Sequence, residues 1–184
     1  MEIKRCGWSE KDDLYRKYHD EEWGKPVYDD QLIFELLVLE SFQAGLSWYT
    51  ILKKRPNFKK AFEDFNYKKI ATYSDVKVEE LLSDAGIIRN RLKILATINN
   101  AQKFQEVQKE FGNFSSYIWG FVGGKPIVND PKTLQDVPAT TEISDALAKN
   151  LKKRGFKFLG STVVYAHMQA TGMVNDHLVD CHCK

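Results

Sequence analysis

Two cysteines and two histidines stand near opposite ends of this 184-residue chain in a pattern suited to holding a metal. Cys6 and His19 have twelve residues between them. His177 and Cys181 are four apart, and share a face if that segment is helical. Two His and two Cys match a closed tetrahedral structural zinc site. Such a site would staple the chain ends together and be worth on the order of 10 kcal/mol. Four protein ligands leave no position at which the ion could activate water. His182 and Cys183 are spare donors beside the set, so spacing alone does not fix the fourth ligand.

A second candidate is Glu40. It lies in LIFELLVLESFQAGLSWYTIL, residues 32–52, whose first half is apolar on almost every face. A helix of that kind belongs in the middle of a fold. Glu35 and Glu40 are about 140° apart around a helix, so at least one carboxylate must point into protein. Glu40 is the stronger candidate, because Leu36 to Leu39 lead into it. Trp8, Tyr15, Tyr18, Trp23 and Trp48 flank it in sequence and could sandwich a flat ligand beside a carboxylate. The plain alternative is a core carboxylate bonded to Gln43 or a nearby hydroxyl.

The third set is Lys152-Lys153-Arg154-Gly155-Phe156-Lys157-Phe158-Leu159-Gly160-Ser161-Thr162. Gly155 permits a tight turn between two helices, and Gly160 leaves backbone N–H groups uncovered at the mouth of the second. Phosphate binding needs such donors together with nearby cations. A solvated basic turn would have the same composition.

These residues must be positioned by helices. Asp12–His19 predicts a short helix with Leu14, Tyr15 and Tyr18 on one side. Asp29 or Asp30 can cap the buried helix, Gln43-Ala44-Gly45 ends it, and Ser47 can cap the next, which Pro56 should terminate. Phe58, Phe62 and Phe65 recur at core spacing. Asp75 can cap Val76–Ser83, Gly86 breaks the chain, and Ile88–Phe111 predicts one long amphipathic helix. Asn113–Phe121, Ser144–Arg154 and Thr162–Thr171 complete an all-α reading with no convincing β-alternation. Lys125–Thr140 carries three of the five prolines. Residues 1–184 therefore form one domain, or two small helical lobes meeting at a loop over 125–140. The net charge of +2 announces no whole-molecule field, so a nucleic-acid role must rest on a local patch. The absence of a long uncharged apolar run predicts no membrane span, and three cysteines fit an intracellular, cytoplasmic protein with reduced thiols.

Cys6-Gly7-Trp8, Tyr18-His19-Asp20-Glu21-Glu22-Trp23-Gly24, Gln43–Trp48, Asp84–Arg89, Lys152–Phe158 and Val174-Asn175-Asp176-His177 together resemble the type I 3-methyladenine DNA glycosylases, over about Cys6 to Cys181. The resemblance implies a helix–hairpin–helix glycosylase fold and a zinc held by Cys6, His19, His177 and Cys181. It implies that Glu40 and Tyr18 hydrogen-bond the excised base, with Trp48 and Trp8 as aromatic walls and Tyr15 beside them. It also implies that Lys152, Lys153, Arg154, Gly155, Lys157, Gly160 and Ser161 grip phosphate, while Gly45 and Leu46 project toward the gap left by the flipped nucleotide. Ser41-Phe42 departs from the polar residues of similar proteins and, next to Glu40, would alter the pocket. The helix–hairpin–helix glycosylases that use a catalytic Asp after the hairpin have no evident counterpart here, since Asp176 and Asp180 sit among the metal ligands.

The expected activity is hydrolytic excision of 3-methyladenine by a monomer acting on double-stranded alkylated DNA. An ionised Glu40 accepts hydrogen bonds and cannot donate them, so it would pair with the exocyclic amine of a cationic adenine. A guanine would present a carbonyl there and leave the carboxylate unpaired. No lysine lies in an apolar pocket motif, which predicts a monofunctional enzyme without a covalent amine intermediate. The rivals are a zinc-stapled module that senses distorted duplexes without catalysis, and a metallohydrolase, which four closed ligands disfavour.

Overall fold

The computed structural model describes residues 3–184. Nine α-helices appear among them: α1 (Asp13–Glu21), α2 (Asp30–Gln43), α3 (Trp48–Ala61), α4 (Tyr67–Ile70), α5 (Asp75–Ser83), α6 (Arg91–Phe111), α7 (Phe114–Gly120), α8 (Glu142–Lys153) and α9 (Ser161–Ala170). Helix α2 runs through the middle. Ile33, Phe34, Leu36, Leu37, Val38, Leu39 and Phe42 are all buried, and α3, α6, α7 and α9 pack around it. Asp29, not Asp30, is its N-cap, accepting from the Leu32 amide at 2.9 Å. Asp30 reaches across to the first amides of α7. At the other end Gly45 (φ +82°) takes the left-handed conformation that Cβ disfavours, and Ser47 starts α3 by accepting from Thr50.

Several expected boundaries move. Pro56 lies inside α3 instead of ending it. It removes one backbone donor, but Phe58, Ala61 and Phe62 beyond it are buried in the core, and their burial carries the helix past the defect. Ser74 rather than Asp75 caps α5. Helix α6 begins at Arg91 rather than Ile88, because the Asn90 side chain caps it and Asp84 folds the preceding loop onto Gly86. A two-residue parallel pairing, β1 (Ile127–Val128) with β2 (Val174–Asn175), is too short to show alternation in sequence. It ties the 125–140 loop to the segment entering His177. That segment, His177–Cys181, is turn and not helix. No helix of the described residues is long and apolar enough to cross a membrane.

Lys93 is buried against the end of α2. Its amine donates to the carbonyls of Phe42 at 2.9 Å and Ala44 at 2.8 Å, two of the oxygens that a helix C-terminus leaves unpaired. Lys93→Met should therefore lower stability by about 1–3 kcal/mol in denaturant unfolding, by orphaning both carbonyls.

Candidate functional site

The α2 carboxylates meet different fates. Both are buried, Glu35 at 5% and Glu40 at 4% exposure. Glu35 is paired, with Arg55 Nε at 2.7 Å and Lys59 Nζ at 3.4 Å. Glu40 is not: among the described residues nothing bonds its buried Oε2. The other buried unpartnered side-chain atom among them is Trp48 Nε1. Glu40 and Trp48 line the same recess of 140 Å³, with Trp8, Tyr15, Tyr18, Trp23, Gln43, Ala166 and Gln169 around them. That volume suits one small aromatic molecule. Two residues lining one cavity thus each hold an unpartnered buried polar atom, which a ligand carrying both donors and acceptors would satisfy.

The aromatic walls support one another. Trp8 lies 4.8 Å from Tyr15 and 5.1 Å from Trp23 between ring centres, and Tyr18 lies 5.3 Å from Trp48. Burial pushes the Glu40 carboxyl up to about 8, with no nearby cation to oppose it. Burial thus favours the protonated carboxyl around neutral pH, where the sequence reading takes Glu40 as ionised. Ser41 and Phe42 do not line the recess. Ser41 Oγ donates to the Val38 carbonyl and Phe42 packs on Phe58, so the anticipated change of pocket shape does not arise from them.

Behind these walls the chain ends meet. Cys6, His19, His177 and Cys181 form a buried cluster that could hold a metal ion. Cys181 Sγ is 3.5 Å from both His19 Nε2 and His177 Nδ1, and Cys6 Sγ is 3.7 Å from His177 Nδ1. Sulfur and nitrogen ligands on a tetrahedral ion are about 3.6 Å apart. The outer nitrogens are occupied in the way metal-binding histidines require: His19 Nδ1 meets Asp20 at 2.7 Å, and His177 Nε2 meets the Trp23 carbonyl at 3.0 Å. Gly24 permits this approach, since a Cβ there would lie 3.0 Å from the His177 ring. Burial pushes the Cys6 thiol up to about 12 and the His177 imidazole down to about 4. Four buried donors with no compensating charge are a fit for a divalent cation.

The basic turn joins α8 to α9. Gly155 sits at φ +90°, and Gly160 begins α9 without a side-chain cap. Lys152, Lys153 and Lys157 are exposed, and a groove of 620 Å³ runs past Lys149, Lys152, Lys157 and Phe158. Two expected members of this set are committed elsewhere. Arg154 forms a two-pronged pair with Glu110, at 2.6 and 3.1 Å, and lies over the Phe111 and Tyr117 rings. Ser161 Oγ bonds Asp145 at 2.5 Å. Leu46, beyond Gly45, is 41% exposed on the loop that ends α2.

A sequence model described as methyladenine glycosylase matches residues 8–184. The chain belongs to the methyladenine glycosylase family. The DNA-3-methyladenine glycosylase of Haemophilus influenzae is 49% identical over 180 residues, covering 98% of this chain and 97% of that protein. A crystal structure of 3-methyladenine DNA glycosylase I superposes with a TM-score of 0.94 at 48% identity, covering 98% of this chain and 99% of the other. A variant of 3-methyladenine DNA glycosylase I in complex with 3-methyladenine superposes with a TM-score of 0.95 at 37% identity, covering 99% and 98%.

Two residues of this methyladenine glycosylase family member escaped the motif reading. Gln169 lines the recess, and its amide nitrogen donates to Asp176 at 2.9 Å. Asp176 also accepts from Tyr165 and Asn129, so it fixes the Gln169 side-chain amide through its nitrogen, and the Oε1 end is its acceptor. A lone glutamine on a mostly apolar helix gives no signal in sequence. Lys93 is the buried lysine that motif reading did not find, and its amine is engaged by carbonyls rather than lining the recess.

Proposed function

We propose that this protein excises 3-methyladenine from alkylated double-stranded DNA by hydrolysis, as a monofunctional enzyme of base excision repair. The observation that carries this reading is the pair of orphaned polar atoms, Glu40 Oε2 and Trp48 Nε1, on one aromatic recess. The names of the similar proteins and the base-bound neighbour support it.

Methylation at N3 places a positive charge on adenine and weakens its bond to the sugar. Extruding the base costs a few kcal/mol, least for a poorly stacked lesion. Stacking against Trp8, Tyr15, Tyr18 and Trp48 returns about 1–3 kcal/mol. Inside the recess the cation favours the ionised form of Glu40, which accepts from the exocyclic amine. Tyr18 adds a hydroxyl, and the Trp48 indole N–H offers a donor to a ring nitrogen. The C1′–N9 bond then breaks with its electron pair going to the base, which leaves as neutral 3-methyladenine. Water adds to the oxocarbenium-like C1′, releases a proton to solvent and leaves an abasic sugar. The side-chain oxygen of Gln169, whose amide nitrogen Asp176 holds, is an acceptor on this wall that can orient that water. Glu40 serves recognition in this scheme.

The surrounding framework is read as a single helix–hairpin–helix domain over residues 1–184, working as a cytoplasmic monomer. Zinc is the ion that best suits two thiolates and two imidazoles. Held by Cys6, His19, His177 and Cys181, it would be structural. Lys152, Lys153 and Lys157, with the amide at Gly160, grip phosphate, while the Gly155 amide closes the turn on the Lys152 carbonyl at 3.0 Å; Leu46 enters the gap left by the flipped base. Lys153→Ala should weaken binding to any duplex and reduce the salt slope by about 1, whereas Arg154→Ala should leave that slope unchanged, as read by fluorescence anisotropy across salt concentrations. Incubation with alkylated DNA should liberate free 3-methyladenine, detected chromatographically. Binding without release would favour the non-catalytic module instead.

A further inference from the structure

His182 and Cys183 follow the last residue of the buried cluster and take no part in it. With Asp20 they make a second group of donors on the outer side of His19. Cys183 Sγ lies 3.5 Å from His182 Nε2 and 4.0 Å from Asp20 Oδ1, and His182 Nε2 lies 3.1 Å from the same Oδ1. Around a tetrahedral ion these three edges would be about 3.6, 3.6 and 3.4 Å. Shifts of a few tenths of an ångström in side chains at the surface close the difference.

The two groups differ in access. The inner four are 0–5% exposed, while His182 is exposed and Asp20 and Cys183 are half-buried. They are also joined. Asp20 Oδ1 faces His19 Nδ1 on one side and His182 on the other, and the Cys183 amide lies 3.4 Å from Cys181 Sγ. One turn, residues 181–183, thus presents one thiol inward and one outward. Arg5 lies across the Asp20 carboxylate at 2.9 and 3.0 Å, and its charge opposes a cation there. Three ligands, one of them shared with a guanidinium, make a weak site with an open position, suited to passing an ion on.

We propose that Asp20, His182 and Cys183 form a second, solvent-facing site for a zinc-class divalent ion, through which metal enters and leaves the buried set. The inference rests on the buried cluster being loaded in the native protein.

Titration of the purified holoprotein with zinc should reveal a second, weaker equivalent beyond the tight one, lost in both Cys183→Ala and His182→Ala. Isotopically labelled zinc should exchange into the tight position at least tenfold more slowly in Cys183→Ala, at unchanged occupancy. A wild-type protein that takes up no second equivalent, or a Cys183→Ala protein that exchanges at the wild-type rate, overturns the proposal. So does loss of the tight equivalent in Cys183→Ala, which would make Cys183 a ligand of the inner set. Absence of any tight equivalent in the wild type would instead sink the buried-zinc reading itself.

Discussion

Glu40→Gln should lower kcat/KM for 3-methyladenine release by about 10²-fold while leaving bound metal and duplex affinity unchanged. Glutamine keeps the shape and one acceptor but removes the charge that answers a cationic base. A hydrogen bond to a charged group contributes about 1.5–3 kcal/mol, and 2.7 kcal/mol is about a hundredfold in rate. The raised carboxyl adds a pH signature. kcat/KM reports the free enzyme, where the Glu40 carboxyl is pushed up to about 8. The wild-type value should climb about tenfold per pH unit below 8 and level off above it, and the Gln variant should lack that limb. Stability should move the other way. Glu40 holds its proton in the folded state up to about pH 8 but releases it in the unfolded chain near its ordinary 4.5. The folded form binds more protons between those values, so stability is full below 4.5 and falls as pH rises toward 8, by at most about 1.4 kcal/mol per unit. Thermal unfolding across that window should show a flatter profile for Glu40→Gln. A wild-type rate in the variant would take Glu40 out of the recognition site.

The division between what could be read from the residues and what could not follows the range of the interactions. Helix α2 was legible because an apolar run broken by Glu35 and Glu40, an acidic cap and a terminal glycine are all local signals. The pairing of cysteines and histidines across the chain ends was legible as a donor set, since few other arrangements of those residue types are chemically useful. Long-range partners were not. Nothing local to Glu35 says that Arg55 will neutralise it, twenty residues on, or that Glu40 will have no such partner. That difference decides which carboxylate is left unpaired beside the recess. Arg154 fits a basic-turn pattern by composition, yet Glu110 and two aromatic rings on α6 and α7 turn it away from the groove. Pro56 misled for the opposite reason: its local rule is sound, and the burial of three apolar side chains beyond it is larger.

Cys181→Ala should empty the buried metal site and cost the protein much of its stability, together with most of its affinity for 3-methyladenine. The sulfur is 3.5 Å from both His19 Nε2 and His177 Nδ1, whereas the spare thiol of Cys183 faces the outer nitrogen of His19 at 4.0 Å. Structural zinc is worth on the order of 10 kcal/mol in small domains, comparable with the whole stability of an ordinary fold. The effect on the base comes at a distance, because none of the four residues of the Cys/His cluster lines the recess. Its walls Trp8, Tyr15, Tyr18 and Trp23 lie on the segment that His19 and Cys6 anchor, and Trp8 and Trp23 both pack on the His19 ring. Freed from that anchor, the segment can no longer hold four aromatic faces around Glu40. Metal analysis, thermal unfolding and titration with free 3-methyladenine should therefore fall together, and chelation of the wild type should reproduce all three. Loss of metal with base affinity intact would show that α1 and α2 hold the recess without the staple.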